Sequence, residues 1–269
     1  MFGGYAFYES YLVENQQVVA VEQLRTDGDG VHENGEEGHG NDAHVDGEHG
    51  HGDWSSEVST YVQPDHDGIM IYLKDKAGNS VDELVINHEK LLHFIIVDEH
   101  QEKYYHLHPE KIGKGEFRIG KILPNGFYKA FIDIKPKQLV YSVEPVPFVV
   151  GNPVVSVDNE ELKPDDQLIQ TVEGETVKLN MSSFRTNEPV SLKFDLDRTK
   201  LTPYLGAMGH VVILDENAQK YLHVHPSNGE EPIFETKFSN PGLYKIWAEF
   251  KQDGKIRTFS YVVAIAEEK

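Results

Sequence analysis

The sequence predicts an all-β protein of two tandem antiparallel β-sandwich domains, preceded by a short helix and a disordered histidine-rich segment. Three observations carry this expectation. From Trp54 onward the chain runs in short segments rich in Ile, Val, Tyr and Phe, with turn residues between them. No stretch from Trp54 to Lys269 holds a sustained helical period. The segments also form two series that repeat one another, which points to tandem domains.

Residues 1–26 open with MFGGYAFYESYLV, which is apolar and aromatic but short and without a basic n-region. Two readings stand: the trailing end of a signal or anchor segment, which would tether the protein to a membrane, or an amphipathic helix to about Leu24 with Tyr8, Leu12 and Val19 on one face. No stretch reaches the ~20 apolar residues that span a bilayer as a helix. From Asp27 to Asp53 the composition changes to glycine, acid and histidine, with no Lys or Arg. Such a segment buries too little apolar surface to offset its ordering entropy, so residues 27–53 should be a flexible tract. Its histidines (His32, His39, His44, His49 and His51) alternate with carboxylates, a composition suited to loose metal binding.

The first strand series is IMIYLKD, LLHFIIVDE, KYYHLH, FRIGKIL and FYKAFIDI; the second is VKLNMSSF, VSLKFDL, HVVILDE, KYLHVH, IFETKF, LYKIWAEF and TFSYVVAI. In each, a Tyr and a Pro flank an H-x-H, a Phe opens the following strand (Phe117, Phe234), and a G-[FL]-Y-K element follows, from Gly126 to Lys129 and from Gly242 to Lys245. These copies place one domain at 55–150 and the other at 154–269, joined near Gly151.

Both copies carry the spacing H-x12-H-x-H: His93, His106 and His108, then His210, His223 and His225. Side chains alternate across a strand, so His223 and His225 share a face. A hairpin turn centred on Asn217-Ala218 sets Val212 opposite His223 and His210 opposite His225. The same turn at His100-Gln101 sets His93 opposite His108, with His106 next along. Directly opposed residues have Cβ atoms about 4.5–5.5 Å apart, close enough for imidazoles to hold one ion at about 2.0–2.1 Å. A register slip of one residue would dissolve the site. Met208, two residues before His210, would point to the same face and approach a bound metal axially as a thioether; Leu91 stands at the matching place in the first copy. Three imidazoles with a thioether suit copper, and three with water suit zinc.

Other chemistries drop out. A net charge of −20, from 25 basic and 45 acidic residues, argues against a nucleic-acid partner. The absence of cysteine removes thiolate zinc sites, iron–sulfur clusters, thiol catalysis, disulfides and the blue-copper thiolate. No G-x-S-x-G, HExxH or phosphate-binding glycine loop occurs. Copper–zinc superoxide dismutases use H-x-H but need further histidines downstream, and none follows His225. A cupin-like metalloenzyme stays as the lesser alternative: Glu230 would supply its acid, although the third histidine here precedes the H-x-H pair.

The run PYLGAMGHVVILDENAQKYLHVHP (Pro203 to Pro226), with PGLYKIWAEFKQDGKIRTFSYVV (Pro241 to Val263), resembles a bacterial exported domain of the cupredoxin-like or Ig-like β-sandwich kind associated with heavy metals. That resemblance implies an extracytoplasmic location and copper or zinc handling. The expectation is therefore a secreted or membrane-anchored protein for metal homeostasis or resistance, with metal ions as ligands and a metal-transfer protein as partner. The alternative is a cell-surface Ig-like interaction module whose metal is structural.

Overall fold

The structure is a computed structural model that describes residues 56–154, 161–224, 226 and 231–268, apart from the side chain of His223. The expected N-terminal helix and the tract 27–53 lie outside the described residues. The described residues hold strands and no helix.

The first domain contains β1 (Val58–Pro64), β2 (Ile69–Asp75), β3 (Leu84–Val85), β4 (His93–Asp98), β5 (Tyr104–Leu107), β6 (Glu110–Gly113), β7 (Glu116–Ile119), β8 (Gly126–Asp133), β9 (Lys135–Pro136) and β10 (Pro145–Val150). The second contains β11 (Ile169–Val172), β12 (Glu175–Met181), β13 (Pro189–Asp195), β14 (Leu201–Thr202), β15 (His210–Asp215), β16 (Tyr221–Val224), β17 (Ile233–Lys237), β18 (Gly242–Gln252) and β19 (Lys255–Ile265). In the first domain a β1-β2-β7-β6 sheet covers a β10-β8-β4-β5 sheet; in the second, β11-β12-β13-β17 covers a sheet in which β18 pairs with β19, β15 and β14, and β15 with β16. All named ladders are antiparallel. Each sandwich closes over its own core, around Ile71, Phe94, Phe117 and Tyr128 in the first domain and Phe194, Phe234, Phe250 and Tyr261 in the second.

The strands β4 and β15 are buried along nearly their whole length. Their sequences, HFIIVD and HVVILD, are unbroken apolar runs rather than alternations, and such a run means that both faces are covered. Phe94 and Ile96 point into the first sandwich, and Val211 and Ile213 into the second. The intervening residues Ile95, Val97, Val212 and Leu214 meet each other in a third apolar cluster with Phe131, Ala218 and Trp247. This cluster joins the two domains, so the β4 and β15 sheets lie face to face.

The contacts across this joint are reciprocal. Tyr104 of the first domain stacks on Trp247 of the second at 4.9 Å, and the equivalent pair, Tyr221 on Phe131, stacks at 5.3 Å. Lys129 Nζ donates to the Asn217 carbonyl (2.8 Å), and its counterpart Lys245 Nζ to the Gln101 carbonyl (2.7 Å). Gln101 Nε2 donates to the carbonyls of Asp215 and Glu216 at 3.0 and 2.9 Å. The two repeats thus face one another like the halves of a two-fold pair.

Candidate metal centre

The hairpins have the register on which a histidine cluster depends. Ile95 pairs with His106 and Phe94 with Leu107; in the second copy Val212 pairs with His223 and Val211 with Val224. Asn-Ala and His-Gln are unusual loop centres, and an aspartate enforces the register instead. Asp98 Oδ1 accepts from the amides of Glu102 and Lys103 at 2.8 and 2.9 Å. Asp215 Oδ1 does the same for Gln219 and Lys220 at 2.6 and 2.9 Å. Gln101 (φ 55°) and Ala218 (φ 48°) take the left-handed conformation that closes each loop.

On this frame His93, His106 and His108 converge, their ligand nitrogens all within 4.8 Å of one another. His93 Nδ1 lies 3.0 Å from His106 Nε2 and 3.2 Å from His108 Nε2. The outer nitrogens decide what these inner ones carry. His93 Nε2 is 3.0 Å from the Asn87 carbonyl, which only accepts, so Nε2 holds the proton. His106 Nδ1 is 2.5 Å from Glu249 Oε2, so Nδ1 holds the proton there. With Glu249 ionised and both rings neutral, a lone pair on each ring faces the other across 3.0 Å, an arrangement that a proton on one ring or a metal ion between them would satisfy. Tetrahedral ligands at about 2.05 Å from one ion sit about 3.3 Å apart, close to the spacing observed. His108 is held neutral, its pKa brought down to about 2 by burial and then by the neighbouring His106 and His93. Neutral imidazole is the form that binds metal.

The centre is not confined to one domain. Glu249 sits on β18 of the second domain and His106 on β5 of the first. His210 pairs with Glu249 across β15 and β18, and its ring centroid lies 5.9 Å from that of His106 and 6.4 Å from that of His93. His210 Nε2 donates to the Tyr204 carbonyl at 2.9 Å, as His93 does to that of Asn87. Asn87 and Tyr204 belong to matching tight turns whose next two residues have positive φ: His88 and Glu89 in one, Leu205 and Gly206 in the other. His88 brings another ring to the joint, 5.7 Å from His210 and 6.1 Å from His93.

The first triplet is thus assembled as its spacing implies. His223 has the expected backbone partner, while its side chain, all of His225, and His32, His39, His44, His49 and His51 lie outside the described residues. Met208 needs a correction to the geometry that aligned it with His210. The strand begins at His210, and Gly209 has a φ of 151°, so two-residue alternation does not extend back to Met208.

Sequence reasoning missed Glu249 and its counterpart Asp133. Asp133 pairs with His93 as Glu249 does with His210, and it accepts from Tyr221 of the other domain at 3.2 Å. Both are buried acids at the same step after the repeated G-[FL]-Y-K element, a signal present in the sequence. The tyrosines facing them, Tyr104 and Tyr221, have their hydroxyl pKa values raised far up by burial and then by these carboxylates.

Residues 53–151 and 170–267 both match one protein family, described as a domain of unknown function, DUF8832. The chain belongs to that family. It carries two DUF8832 repeats, one for each sandwich. No curated protein matches the chain. Among solved structures, the FN1–FN3 domains of chicken CNTN1 are similar over 77% of this chain, at 7% identity and a TM-score of 0.20. The match spans 66% of that structure's chain, just under two thirds, and at this TM-score it assigns nothing to the DUF8832 repeats.

Proposed function

We propose that the protein is an extracytoplasmic binder of a divalent transition metal, copper or zinc, and serves metal homeostasis or resistance rather than catalysis. The observation that carries this reading is the convergence of His93 Nδ1, His106 Nε2 and His108 Nε2, with ligand nitrogens within 4.8 Å of one another and the first two 3.0 Å apart. His210, His223 and His225 form the counterpart site in the second repeat, a reading supported by the shared hairpin register. The acidic, histidine-rich tract at 27–53 gathers ions loosely and passes them to these sites, and a further protein takes the metal onward. An N-terminal segment tethers the protein to the membrane.

A second reading has its own support. His106 has a side chain 0% exposed and Glu249 one 7% exposed, as in a closed structural site. On that reading the protein is a surface interaction module that metal only stabilises. Elemental analysis of untagged protein after dialysis against a weak chelator tests the first reading, alongside a version lacking residues 27–53 and a His93/His106/His108→Ala variant. Metal kept without the tract and reduced by the triple substitution supports a folded site; wild-type protein that holds none leaves a proton on one ring in its place. Exchange of bound metal within minutes favours transfer, and exchange only on unfolding favours the structural reading.

A further inference from the structure

We infer that the first repeat's metal site is completed by the second repeat: Glu249 is a positioning residue for His106, and metal loading is coupled to docking of the domains. The inference rests on the metal reading above. His106 can offer Nε2 to a metal only while Nδ1 carries the proton, and Glu249 Oε2, at 2.5 Å, fixes that tautomer and the ring's orientation. The carboxylate comes from β18, on the far side of the joint, and its place there depends on contacts remote from the histidines. These include Gln101 Nε2 on the Asp215 and Glu216 carbonyls, Tyr104 stacked on Trp247, and the Ile95, Val97, Val212 and Leu214 cluster. Separating the domains would leave His106 without its carboxylate and Glu249 without its N–H donor. The docked arrangement therefore binds the ion more tightly than an open one, and by linkage the ion must favour docking by the same factor.

The groups facing the centre from both repeats fit one cation. Glu249 brings a negative charge to a cluster whose histidines are neutral when they bind metal. His210 turns its Nε2–H away to Tyr204, as His93 does to Asn87, so neither directs that proton at the ion.

The test uses the full chain and zinc ion as the probe, titrated in competition with a chromophoric chelator. Small-angle scattering with and without zinc reports domain separation. Glu249→Ala should weaken zinc binding by about 10–100-fold, the usual effect of losing a ligand's outer partner. Glu249→Gln, which keeps an acceptor oxygen, should recover part of it. Gln101→Ala, which touches no histidine, should also weaken zinc binding several-fold, and zinc should make its scattering more compact. If Glu249→Ala and Gln101→Ala bind zinc as the wild type does while His106→Ala does not, the coupling is wrong and the histidine site stands. If the wild type binds no zinc in competition and no copper in a parallel titration, the metal reading itself fails. Should Glu249→Ala not fold, the Gln and Gln101 variants decide the matter.

Discussion

Glu249 pairs with His210 on the adjacent strand of its own domain, yet its carboxylate meets His106 of the other domain at 2.5 Å. One side chain thus ties the two histidine triplets, because the residue beside the first histidine of one repeat orients the second histidine of the other. Asp133 holds the same place beside His93 and reaches Tyr221.

Removing a ligand should cost more than removing an outer partner. His106→Ala should lower metal affinity at the first repeat by more than the about 10–100-fold expected for an outer-partner change. Calorimetric titration of apo protein measures this, and an unchanged stoichiometry and affinity would exclude His106 as a ligand.

Acid should destabilise the metal-free protein. The folded pKa of His108, about 2, lies below its ordinary value of 6.5. Between those values the unfolded chain binds the extra proton and the folded one does not. Stability therefore rises with pH through this window, is complete above about pH 6.5 and is lost as the pH falls toward 2. Urea midpoints at pH 7.5, 6 and 5 should fall in that order, and His108→Asn should flatten the decline.

Trp247 belongs to the joint rather than to either sandwich core. Trp247→Ala should therefore remove about 3–5 kcal/mol chiefly from domain docking. Calorimetry should show one thermal transition splitting into two. A single transition lowered as a whole would place Trp247 in a core.

Gly209 tolerates no side chain. Its φ is 151°, and an added Cβ would stand 2.6 Å from Phe250 Cε1 and 2.9 Å from the Glu249 carbonyl oxygen. Gly209→Ala should cost about 1–3 kcal/mol, shift His210 and Glu249 with the backbone, and weaken metal binding. Denaturant unfolding and a metal titration of the same variant check both effects.

The sandwich architecture and the hairpin register were legible because both rest on local pattern. Runs rich in Ile, Val, Tyr and Phe between turn residues placed the strands, and the spacing of His93, His106 and His108, kept in both copies, favoured the parity of the turn. The joint was harder to read. The runs FIIV and VVIL identify themselves as strands, but which surface covers their second face depends on residues more than a hundred positions away in sequence. For the same reason Glu249 read as one acid among the 45 Asp and Glu residues, although its step after Gly242 matches that of Asp133 after Gly126. Asn87 and Tyr204 act through backbone carbonyls, which no side-chain motif records.

The reciprocal stacking of Tyr104 on Trp247 and Tyr221 on Phe131 has a bearing on descent. Equivalent residues meeting in this way form an isologous contact, the kind that identical subunits make about a two-fold axis. A lone ancestral unit with this face would have paired with its own copy through the same stacked rings. Fusion of two such genes would keep the pairing while freeing the halves to diverge. Tyr204 now stands where the first half has Asn87, and Met208 where it has Leu91, so the side chains have diverged while the backbone carbonyls that hold His93 and His210 are kept.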